Sequence, residues 1–372
     1  MRRRVGSMGK AVLVLCALAC PAVAVRAAGA VVPGVSSKVI QEAKGYNSWP
    51  MIQTVDGRLC CAYSRGSAHS IGEGRRGVWA RVSSDGGKSW SDESLVANDP
   101  DVGEVTIGKG LDADGAMLLW VRCWGKERHH DLYRSTDGIR FARIASPKLD
   151  PVPMQITDVF AVPTVGLMSL WFSEGYRADA DRSWGTLTSA DGGRTWVRQT
   201  VERGLAREDW PTEPCGVYIG DGRILVIARS EGGTRHQFQM VSTDFGRTWR
   251  KHRTNITDVA ESTPSILFDA KTGLVSNYYY QRGARKLKCR VAEAADVFDR
   301  PTAWPDPVVH FEGKEARAYD AGNVNATELG GMHYVATYTG TTSDTAVVVV
   351  TVPAPTRRTG GVRDVGQTEE SR

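Results

Sequence analysis

Four arginines occupy matching positions in a sequence that repeats about every 53 residues, and their chemistry is the clearest functional signal in the chain. Each follows a short apolar run, and the four are Arg65, Arg122, Arg229 and Arg282. Guanidinium groups that lie close together repel one another unless an anion or acidic side chains lie between them. A guanidinium group also binds a carboxylate through two parallel hydrogen bonds. The pattern therefore predicts a site for an anionic ligand where the four positions converge.

Carboxylates and tyrosines occupy a second set of matching positions, near the starts of the predicted inner strands. These residues are Glu104, Asp158, Glu213, Glu261, Tyr319 and Asp320. Any one of them alone would be interpreted as a solvated surface group. Together with the arginines they predict a polar face on which acids, bases and cations meet.

A segment of eight residues recurs along the chain and indicates the element that must position these residues. It reads Ser-x-Asp-x-Gly-x-Ser/Thr-Trp at 83–90, 189–196 and 242–249, and a shortened copy with Phe in place of Trp lies at 135–141. The Asp carboxylate can accept hydrogen bonds from its own tight turn, the Gly tolerates a positive φ, and the Trp can fill the gap between neighbouring repeats. We call these four segments the aspartate turns. Their chemistry predicts a structural role.

Short strand patterns fill the intervals between the aspartate turns. Four predicted strands per repeat are typical of one propeller blade, and the period continues past the last turn to give six repeats. The sequence therefore predicts an all-β fold, a six-bladed β-propeller of four-stranded antiparallel blades, over residues 35–355. A strand at 38–43 is expected to pair into the last blade. In this architecture the aspartate turns lie on the rim opposite the arginines.

The two ends of the chain differ in composition from this body. Residues 1–28 combine a basic start with an apolar run too short to span a bilayer, which predicts a cleaved export signal and a periplasmic or extracellular location. An uncleaved anchor and lipid attachment at Cys20 are the alternatives. Residues 356–372 are polar and charged, without aromatic side chains, and are predicted to be disordered.

Charge beyond the first 30 residues is balanced. The whole chain has 47 Lys and Arg against 42 Asp and Glu, and the excess of basic residues lies entirely in residues 1–30. A balanced surface argues against nucleic acid as a partner. Beyond the signal segment, the sequence predicts no membrane span.

The sequence predicts no cofactor and no metal. The cysteines beyond the signal segment are scattered and are expected to be small buried apolar residues: Cys60, Cys61, Cys123, Cys215 and Cys289. The aspartate turns lack the spacing of an EF-hand calcium loop.

The aspartate turns and the six repeats resemble the sialidase (neuraminidase) superfamily of Asp-box propellers. The resemblance implies three arginines that hold a substrate carboxylate, a tyrosine nucleophile assisted by a glutamate, and an aspartate that acts as acid and base. By position, Arg229 and Arg282 are similar to two of these arginines, and Glu213 is similar to the glutamate. Tyr319 stands where the resemblance implies the nucleophile.

The first blade departs from the family pattern. Its inner strand reads Ser48-Trp49-Pro50, where sialidases carry Arg-Ile-Pro. Arg65, on the next strand, is therefore the candidate for the missing charge.

Two further roles have candidates near the first and last blades. Glu73 and His69, in the loop 66–77, are the nearest candidates for the group that protonates the leaving oxygen. Asp320 is an alternative to its neighbour Tyr319 as the working residue.

The resemblance and the arginine face together predict an exo-acting glycoside hydrolase that releases sialic acid or a related acidic sugar from glycans. A phenol with an ordinary pKa near 10 is a weak nucleophile until a carboxylate accepts its proton, which is the role predicted for Glu213. Two alternatives remain open: a hydrolase or lyase that acts on another acidic glycan, and a carbohydrate-binding propeller without catalysis.

Overall fold

The computed structural model describes residues 33–69, 77–233, 236–259, 261–358 and 361–363. Over these ranges the chain is almost entirely strands and turns, arranged as six groups of four antiparallel strands. The predicted all-β, six-bladed propeller is confirmed. The predicted export signal, 1–28, lies outside the described residues.

The strands follow one another in blade order, after a first strand, β1 (Ser36–Gln41). The first blade contains β2 (Tyr46–Val55), β3 (Arg58–Gly66), β4 (Gly77–Ser83) and β5 (Ser94–Ala97). The second contains β6 (Gly103–Leu111), β7 (Met117–Trp124), β8 (Arg128–Ser135) and β9 (Ala142–Ala145). The third contains β10 (Gln155–Val162), β11 (Gly166–Phe172), β12 (Trp184–Ser189) and β13 (Val197–Glu202).

The second half of the chain repeats the pattern. The fourth blade contains β14 (Pro211–Gly220), β15 (Arg223–Ser230), β16 (Gln237–Ser242) and β17 (Arg250–Arg253). The fifth contains β18 (Ser265–Asp269), β19 (Leu274–Gln281), β20 (Lys286–Glu293) and β21 (Val308–Glu312), with a short helix α1 (Ala294–Asp299) between its last two strands. The sixth contains β22 (Ala321–Leu329), β23 (Met332–Gly340) and β24 (Thr345–Pro353).

The N-terminal strand supplies the fourth strand of the last blade. β1 pairs antiparallel with β24, and Ser36 lies opposite Thr351. The inner strands of the first and last blades are also joined, because the Ile52 amide donates to Asn325 Oδ1 over 2.9 Å. The strand predicted at 38–43 is therefore present, displaced toward the N-terminus by two residues.

The hairpins between inner and second strands have the turn chemistry that their sequences predict. Asp56 and Gly57 both have positive φ, at 48° and 69°, and Asp221 and Gly222 repeat this at 53° and 75°. Two consecutive residues of positive φ define the tight hairpin turn whose twist matches that of the strands.

Each aspartate turn is closed by its own carboxylate. Asp85 accepts hydrogen bonds from the Ser89 amide (2.9 Å) and the Ser89 hydroxyl (2.6 Å), and Asp191 and Asp244 bond Thr195 and Thr248 in the same way. These hydrogen bonds lower the pKa of Asp85 below its ordinary value. The turns are thus held by ionised carboxylates that are already fully engaged.

The tryptophans of the aspartate turns pack between blades. The ring of Trp196, in the third blade, lies 5.3 Å from that of Trp120 in the second, and Trp249 lies 5.7 Å from Trp184. Aromatic pairs at this spacing add to the stability gained from burial. The structural role predicted for the turns agrees with these contacts.

Apolar side chains of adjacent blades meet face to face. Between the first and second blades, for example, Val78 and Ala80 of β4 share a buried cluster with Leu119, Val121 and Cys123 of β7. Burial of such faces is the main favourable contribution to folding of a propeller.

The inner strands carry bulges close to the starts of the strands. Their ladders shift register at Ser48/Met51, Thr157/Phe160, Thr212/Cys215 and Gly322/Asn325. A non-glycine residue with positive φ lies in each bulge: Trp49, Asp158, Glu213 and Asn323. Such residues are strained and concentrate at functional sites.

The predicted disordered tail, 356–372, begins with a small hairpin. Strands β25 (Thr356–Arg358) and β26 (Gly361–Arg363) pair with each other, and Arg357 forms a 2.6 Å ion pair with Glu293 at the end of β20. Residues 359–360 and 364–372 lie outside the described part. None of the helices in the described ranges has the length and apolar character needed to cross a membrane.

Candidate functional site

A cavity of about 650 Å³ opens where the second strands end and the inner strands begin. This volume suits a small ligand such as a monosaccharide. Its charged lining consists of Arg122, Arg128, Arg207, Arg229, Arg282, Glu213, Glu231 and Glu261. Its aromatic lining consists of Trp49, His69, Trp124, Tyr176 and Tyr319. Five of the predicted site residues therefore share one cavity: Arg229, Arg282, Glu213, Tyr319 and His69.

Arg229 is held between two carboxylates. It ends β15, its side chain is 11% exposed, and its guanidinium nitrogens lie 3.1 Å from Glu213 Oε2 and 2.8 Å from Glu231 Oε1. Glu231 comes two residues later on the same chain segment, whereas Glu213 comes from the bulge of the neighbouring inner strand. The two ion pairs fix the position of the guanidinium group.

Glu213 is an ionised partner of this arginine. Burial acts to raise its pKa, but Arg229, the hydroxyl of Thr263 at 2.6 Å and Arg282 outweigh burial, so the pKa lies below its ordinary value. At neutral pH the carboxylate is therefore charged, and its Oε2 is engaged by Arg229 and Thr263.

Tyr319 bonds a different glutamate from the one that the sequence predicted. Its hydroxyl donates to Glu261 Oε2 over 3.0 Å, and this hydrogen bond raises the pKa of the phenol. Glu213 was predicted to be this partner, but its Oε2 accepts hydrogen bonds from Arg229 and Thr263 instead. The reason is topological: Tyr319 precedes the sixth blade and Glu261 precedes the adjacent fifth blade, whereas Glu213 belongs to the fourth.

Glu261 has the left-handed backbone conformation seen in the inner-strand bulges, with φ at 39°. It was among the acidic residues at strand starts in the sequence, but nothing in the pattern distinguished it from Glu213. Tyr319 itself is 52% exposed and faces the cavity from a short 3-10 helix, Ala318–Asp320. The pair is therefore accessible to a ligand.

Arg282 is fixed by main-chain and side-chain acceptors. Its Nε donates to Ala321 O (2.9 Å), one terminal nitrogen donates to Asn323 Oδ1 (3.2 Å) and the other to Glu261 O. Its guanidinium carbon lies 5.3 Å from the centre of the Tyr319 ring. Arg282 thus lies beside the Tyr319–Glu261 pair.

Of the two arginines at equivalent positions in the first and second blades, Arg122 lines the cavity and Arg65 does not. Arg122 is 4% exposed and stacks 4.3 Å above the Trp124 ring, whose centre is also 4.3 Å from Arg128. Arg65 forms a 2.6 Å ion pair with Glu93 and is not among the residues that line the cavity. Because Arg65 has an acidic partner on the outer side of its own blade, its charge is directed away from the cavity.

An aromatic wall occupies the place where the resemblance implies an arginine. Ser48 is fully buried, and Trp49, with φ at 50°, lines the cavity instead. The Trp49 ring lies 5.3 Å from the ring of His69 and 6.3 Å from that of Tyr338. This side of the cavity is therefore lined by aromatic rings where the resemblance implies a positively charged side chain.

His69 is held by a buried tyrosine. Its Nδ1 lies 2.8 Å from the Tyr46 hydroxyl, and that hydroxyl also donates to Tyr319 O over 3.1 Å. Burial raises the pKa of Tyr46, so the hydroxyl remains protonated. The His69 and Tyr319 rings are 6.4 Å apart, so the two residues face the same ligand space. Glu73, the other candidate, lies outside the described residues.

Asp320 does not line the cavity. It is fully buried, its Oδ2 accepts a 3.1 Å hydrogen bond from Arg317, and its Oδ1 accepts a 3.4 Å hydrogen bond from Tyr46. These contacts make it a support for the segment that carries Tyr319. Proximity in sequence to Tyr319 had made it an alternative, but the two side chains point to different surroundings.

Comparison with solved structures shows the same fold at low sequence identity. A protein of unknown function from Dyadobacter fermentans DSM 18053 matches with a TM-score of 0.69 and 17% identity, over 87% of this chain and 100% of that chain. The Hadza microbial sialidase Hz136 matches with a TM-score of 0.63 and 14% identity over 83% of this chain. A Trypanosoma rangeli sialidase, solved with 2,3-difluorosialic acid as a covalent intermediate, matches with a TM-score of 0.64 and 12% identity over 86% of this chain.

The chain therefore has a sialidase-like propeller fold. It spans 66% of the length of the Hadza sialidase and 59% of that of the T. rangeli sialidase. No protein-family model matches the sequence, and no curated protein matches it.

Proposed function

We propose that this propeller is an exo-acting glycoside hydrolase that releases sialic acid or a related acidic sugar from glycans. The observation that carries the proposal is the meeting of three largely buried arginines with a hydrogen-bonded tyrosine–glutamate pair in one cavity. The arginines come from the equivalent positions of three different blades, so their convergence follows from the fold.

The substrate carboxylate binds to Arg122, Arg229 and Arg282. All three line the cavity, and each is already held in place in the absence of a ligand. Arg122 lies against the Trp124 ring, Arg229 pairs with two carboxylates, and Arg282 donates to three acceptors. Side chains that are already ordered lose little entropy on binding. Glu213 acts here as a positioning residue for Arg229.

Tyr319 is the nucleophile. Its oxygen forms a bond to the anomeric carbon while the bond from that carbon to the leaving oxygen breaks, and Glu261 accepts the phenolic proton at Oε2. A neutral nucleophile suits an anionic sugar, because a carboxylate nucleophile would be repelled by the charge of the substrate. The covalent intermediate of the T. rangeli sialidase supports a mechanism of this kind.

His69 protonates the leaving oxygen. It lines the cavity with its ring centre 6.4 Å from that of Tyr319, and Tyr46 holds its Nδ1. In the second half of the reaction a water molecule attacks the anomeric carbon, the bond to Tyr319 breaks, and the phenol recovers a proton from Glu261. His69 accepts the proton of the attacking water.

The test is hydrolysis of a panel of aryl glycosides that includes a sialoside, a uronide and neutral sugars. We expect release from the sialoside or another acidic member, and loss of release in Tyr319→Phe with an unchanged circular-dichroism spectrum. Tyr218→Phe, outside the cavity, is the matched control and should retain activity. Full activity of Tyr319→Phe would remove the proposed nucleophile.

The Trp49 wall supports a second candidate, a hydrolase or lyase that acts on another acidic glycan. On the first-blade side the cavity is lined by the rings of Trp49 and His69, where a sialidase has an arginine. This lining suits a sugar whose acidic group is bound only by the arginines of the other blades. A lyase would produce an unsaturated sugar that absorbs ultraviolet light, so monitoring absorbance on uronic-acid polymers distinguishes the two. Binding of an acidic sugar without turnover of any substrate would instead support a non-catalytic propeller.

A further inference from the structure

A cysteine, a histidine and an aspartate meet outside the cavity, near the end of the second blade. Cys123 lies on β7, and His129 and Asp131 lie on β8. Asp131 Oδ2 is 3.9 Å from Cys123 Sγ, and Asp131 Oδ1 is 3.8 Å from His129 Nε2. One ligand atom from each of the three lies within 4.8 Å of the others. Nothing in the sequence indicates this group, because strand pairing brings its members together.

These separations are close to those of a tetrahedral zinc site. With Zn–S near 2.3 Å and Zn–N and Zn–O near 2.0–2.1 Å, neighbouring ligand atoms lie about 3.3–3.6 Å apart. The 3.8 Å separation of His129 Nε2 and Asp131 Oδ1 exceeds this range by a few tenths of an ångström, and the three ligand atoms lie within 4.8 Å of one another, so side-chain rotation would have to draw them together around an ion. Thiolate, imidazole and carboxylate are also the three ligand types that zinc uses in proteins.

A fourth candidate ligand lies in the same cross-strand row. Glu104 of β6 is paired with Cys123, and Cys123 is paired with His129, so the three side chains project from one face of the blade. Glu104 is 3% exposed, and its Oε1 accepts a 2.8 Å hydrogen bond from the Asp99 amide. Among the described residues, its buried Oε2 has no hydrogen-bond partner.

The buried side of this group is acidic. Glu104 and Asp131 are each 3% exposed and lie close to the Cys123 thiol. A divalent ion bound among these groups would offset the negative charge of the carboxylates and of a thiolate.

Arg143 forms an ion pair with one carboxylate oxygen of Asp131, Oδ2, and does not bond the other, Oδ1. It lies 3.1 Å from Asp131 Oδ2, and its side chain is 60% exposed. Asp131 Oδ1 is buried and has no hydrogen-bond partner in the described part of the chain. A carboxylate that ligates a metal commonly accepts such a hydrogen bond on its other oxygen.

We propose that Cys123, His129 and Asp131, with Glu104 as the fourth ligand, form a structural zinc site between the first and second blades. The site joins β6, β7 and β8 just below the turn between β7 and β8. That turn is flanked by Trp124 and Arg128, which line the cavity. The proposal stands independently of the glycosidase function, because it concerns the stability of a hairpin and not a step of the reaction.

The first experiment measures metal content. The chain, purified without a histidine tag, is stripped with a chelator, incubated with zinc, passed through gel filtration and analysed by mass spectrometry. We expect one zinc per chain and a rise in melting temperature that saturates at one equivalent. Failure of the folded wild-type chain to retain zinc would overturn the proposal.

Variants then identify the ligands. Cys123→Ser, His129→Ala and Asp131→Asn should each weaken zinc binding by more than about 100-fold, because loss of a group that merely supports a ligand already costs about 10- to 100-fold. Cys61→Ala is the matched control, since it removes a buried thiol on the opposite face of the first blade and should leave one zinc bound. His129 is 37% exposed in its side chain, so its variant should fold.

Cobalt reports on the thiolate directly. The cobalt-loaded chain should show a thiolate-to-metal charge-transfer band in the ultraviolet, and Cys123→Ser should abolish this band. Zinc binding that is unchanged in Cys123→Ser, or a cobalt spectrum without the band, would show that the metal lies elsewhere and would overturn the assignment.

Discussion

The hydroxyl of Tyr319 donates a 3.0 Å hydrogen bond to the carboxylate of Glu261, while Glu213 is bound to Arg229 on the neighbouring blade. The two glutamates of the cavity therefore have different partners. In the proposed mechanism Glu261 accepts the proton of Tyr319, and Glu213 neutralises and orients Arg229. This division of roles leads to predictions that separate the two residues.

Glu261→Gln should reduce kcat by about 10²- to 10⁴-fold, the usual range for loss of a general base, with a small change in KM. The amide keeps the shape and a hydrogen bond to Tyr319 but cannot accept the proton. Steady-state kinetics on the preferred aryl glycoside is the measurement. A kcat equal to that of the wild type would exclude Glu261 as the base.

Arg122→Ala should reduce kcat/KM by roughly 10- to 150-fold, which corresponds to about 1.5–3 kcal/mol for a lost hydrogen bond between charged groups. Arg65→Ala is the matched control, because Arg65 occupies the equivalent repeat position but bonds Glu93. It should leave kcat/KM within about twofold and change stability by no more than about 1 kcal/mol. The reverse pattern would restore Arg65 as the third arginine.

Glu213 should make stability depend on pH in the acid range. Its pKa is lower in the folded chain than in the unfolded chain, so its contribution is present above the ordinary glutamate pKa and is lost as pH falls through the lower folded value. Glu213→Gln should thus be less stable than wild type at pH 7, and the difference should shrink below about pH 4.3. Urea unfolding across pH measures this, with Glu42→Gln at an exposed position as control. A difference that stays constant with pH would contradict the assignment.

Trp196→Ala should lower the free energy of unfolding by up to about 3 kcal/mol, somewhat less than for a fully buried tryptophan, because the ring is half-buried against Trp120. Trp196→Phe keeps an aromatic contact and should recover most of the loss. Neither change should affect kcat, since the aspartate turns contribute no residue to the lining of the cavity. A fall in kcat at unchanged stability would show that the turns act on the site.

The fold was predictable because its signals are local and repeated. The aspartate turns at Asp85, Asp191 and Asp244 set the period, and hairpin pairs such as Asp56-Gly57 mark the reversals between strands. Each aspartate turn and each hairpin turn depends only on a few neighbouring residues. One such turn would be weak evidence for a fold, and its repetition along the chain makes the prediction of a propeller strong.

The site was predictable only in part, because partners across blades leave no trace in local sequence. Arg65 and Arg122 occupy equivalent positions, but Arg65 pairs with Glu93 whereas Arg122 lies against Trp124 and lines the cavity. Glu213 and Glu261 likewise both precede strands, and it is the order of blades around Tyr319 that decides its partner. The cysteines beyond the signal segment were predicted to be small buried residues, and all five are buried. The register that aligns Cys123 with Glu104 and His129, in contrast, is not visible in a list of residues.

The pairing of β1 with β24 has a consequence for biogenesis. Ser36 and Thr351 are partners, so β1 cannot form these hydrogen bonds until β24, far along the chain, has been synthesised. Loop closure over such a separation is slow, and until it occurs both strands present open edges to other chains. The same blade carries Tyr338, whose hydroxyl holds the main chain at Tyr319. A chain that stops short of β24 therefore lacks the partner of β1, and it also lacks the strand that pairs with β23, which carries Tyr338.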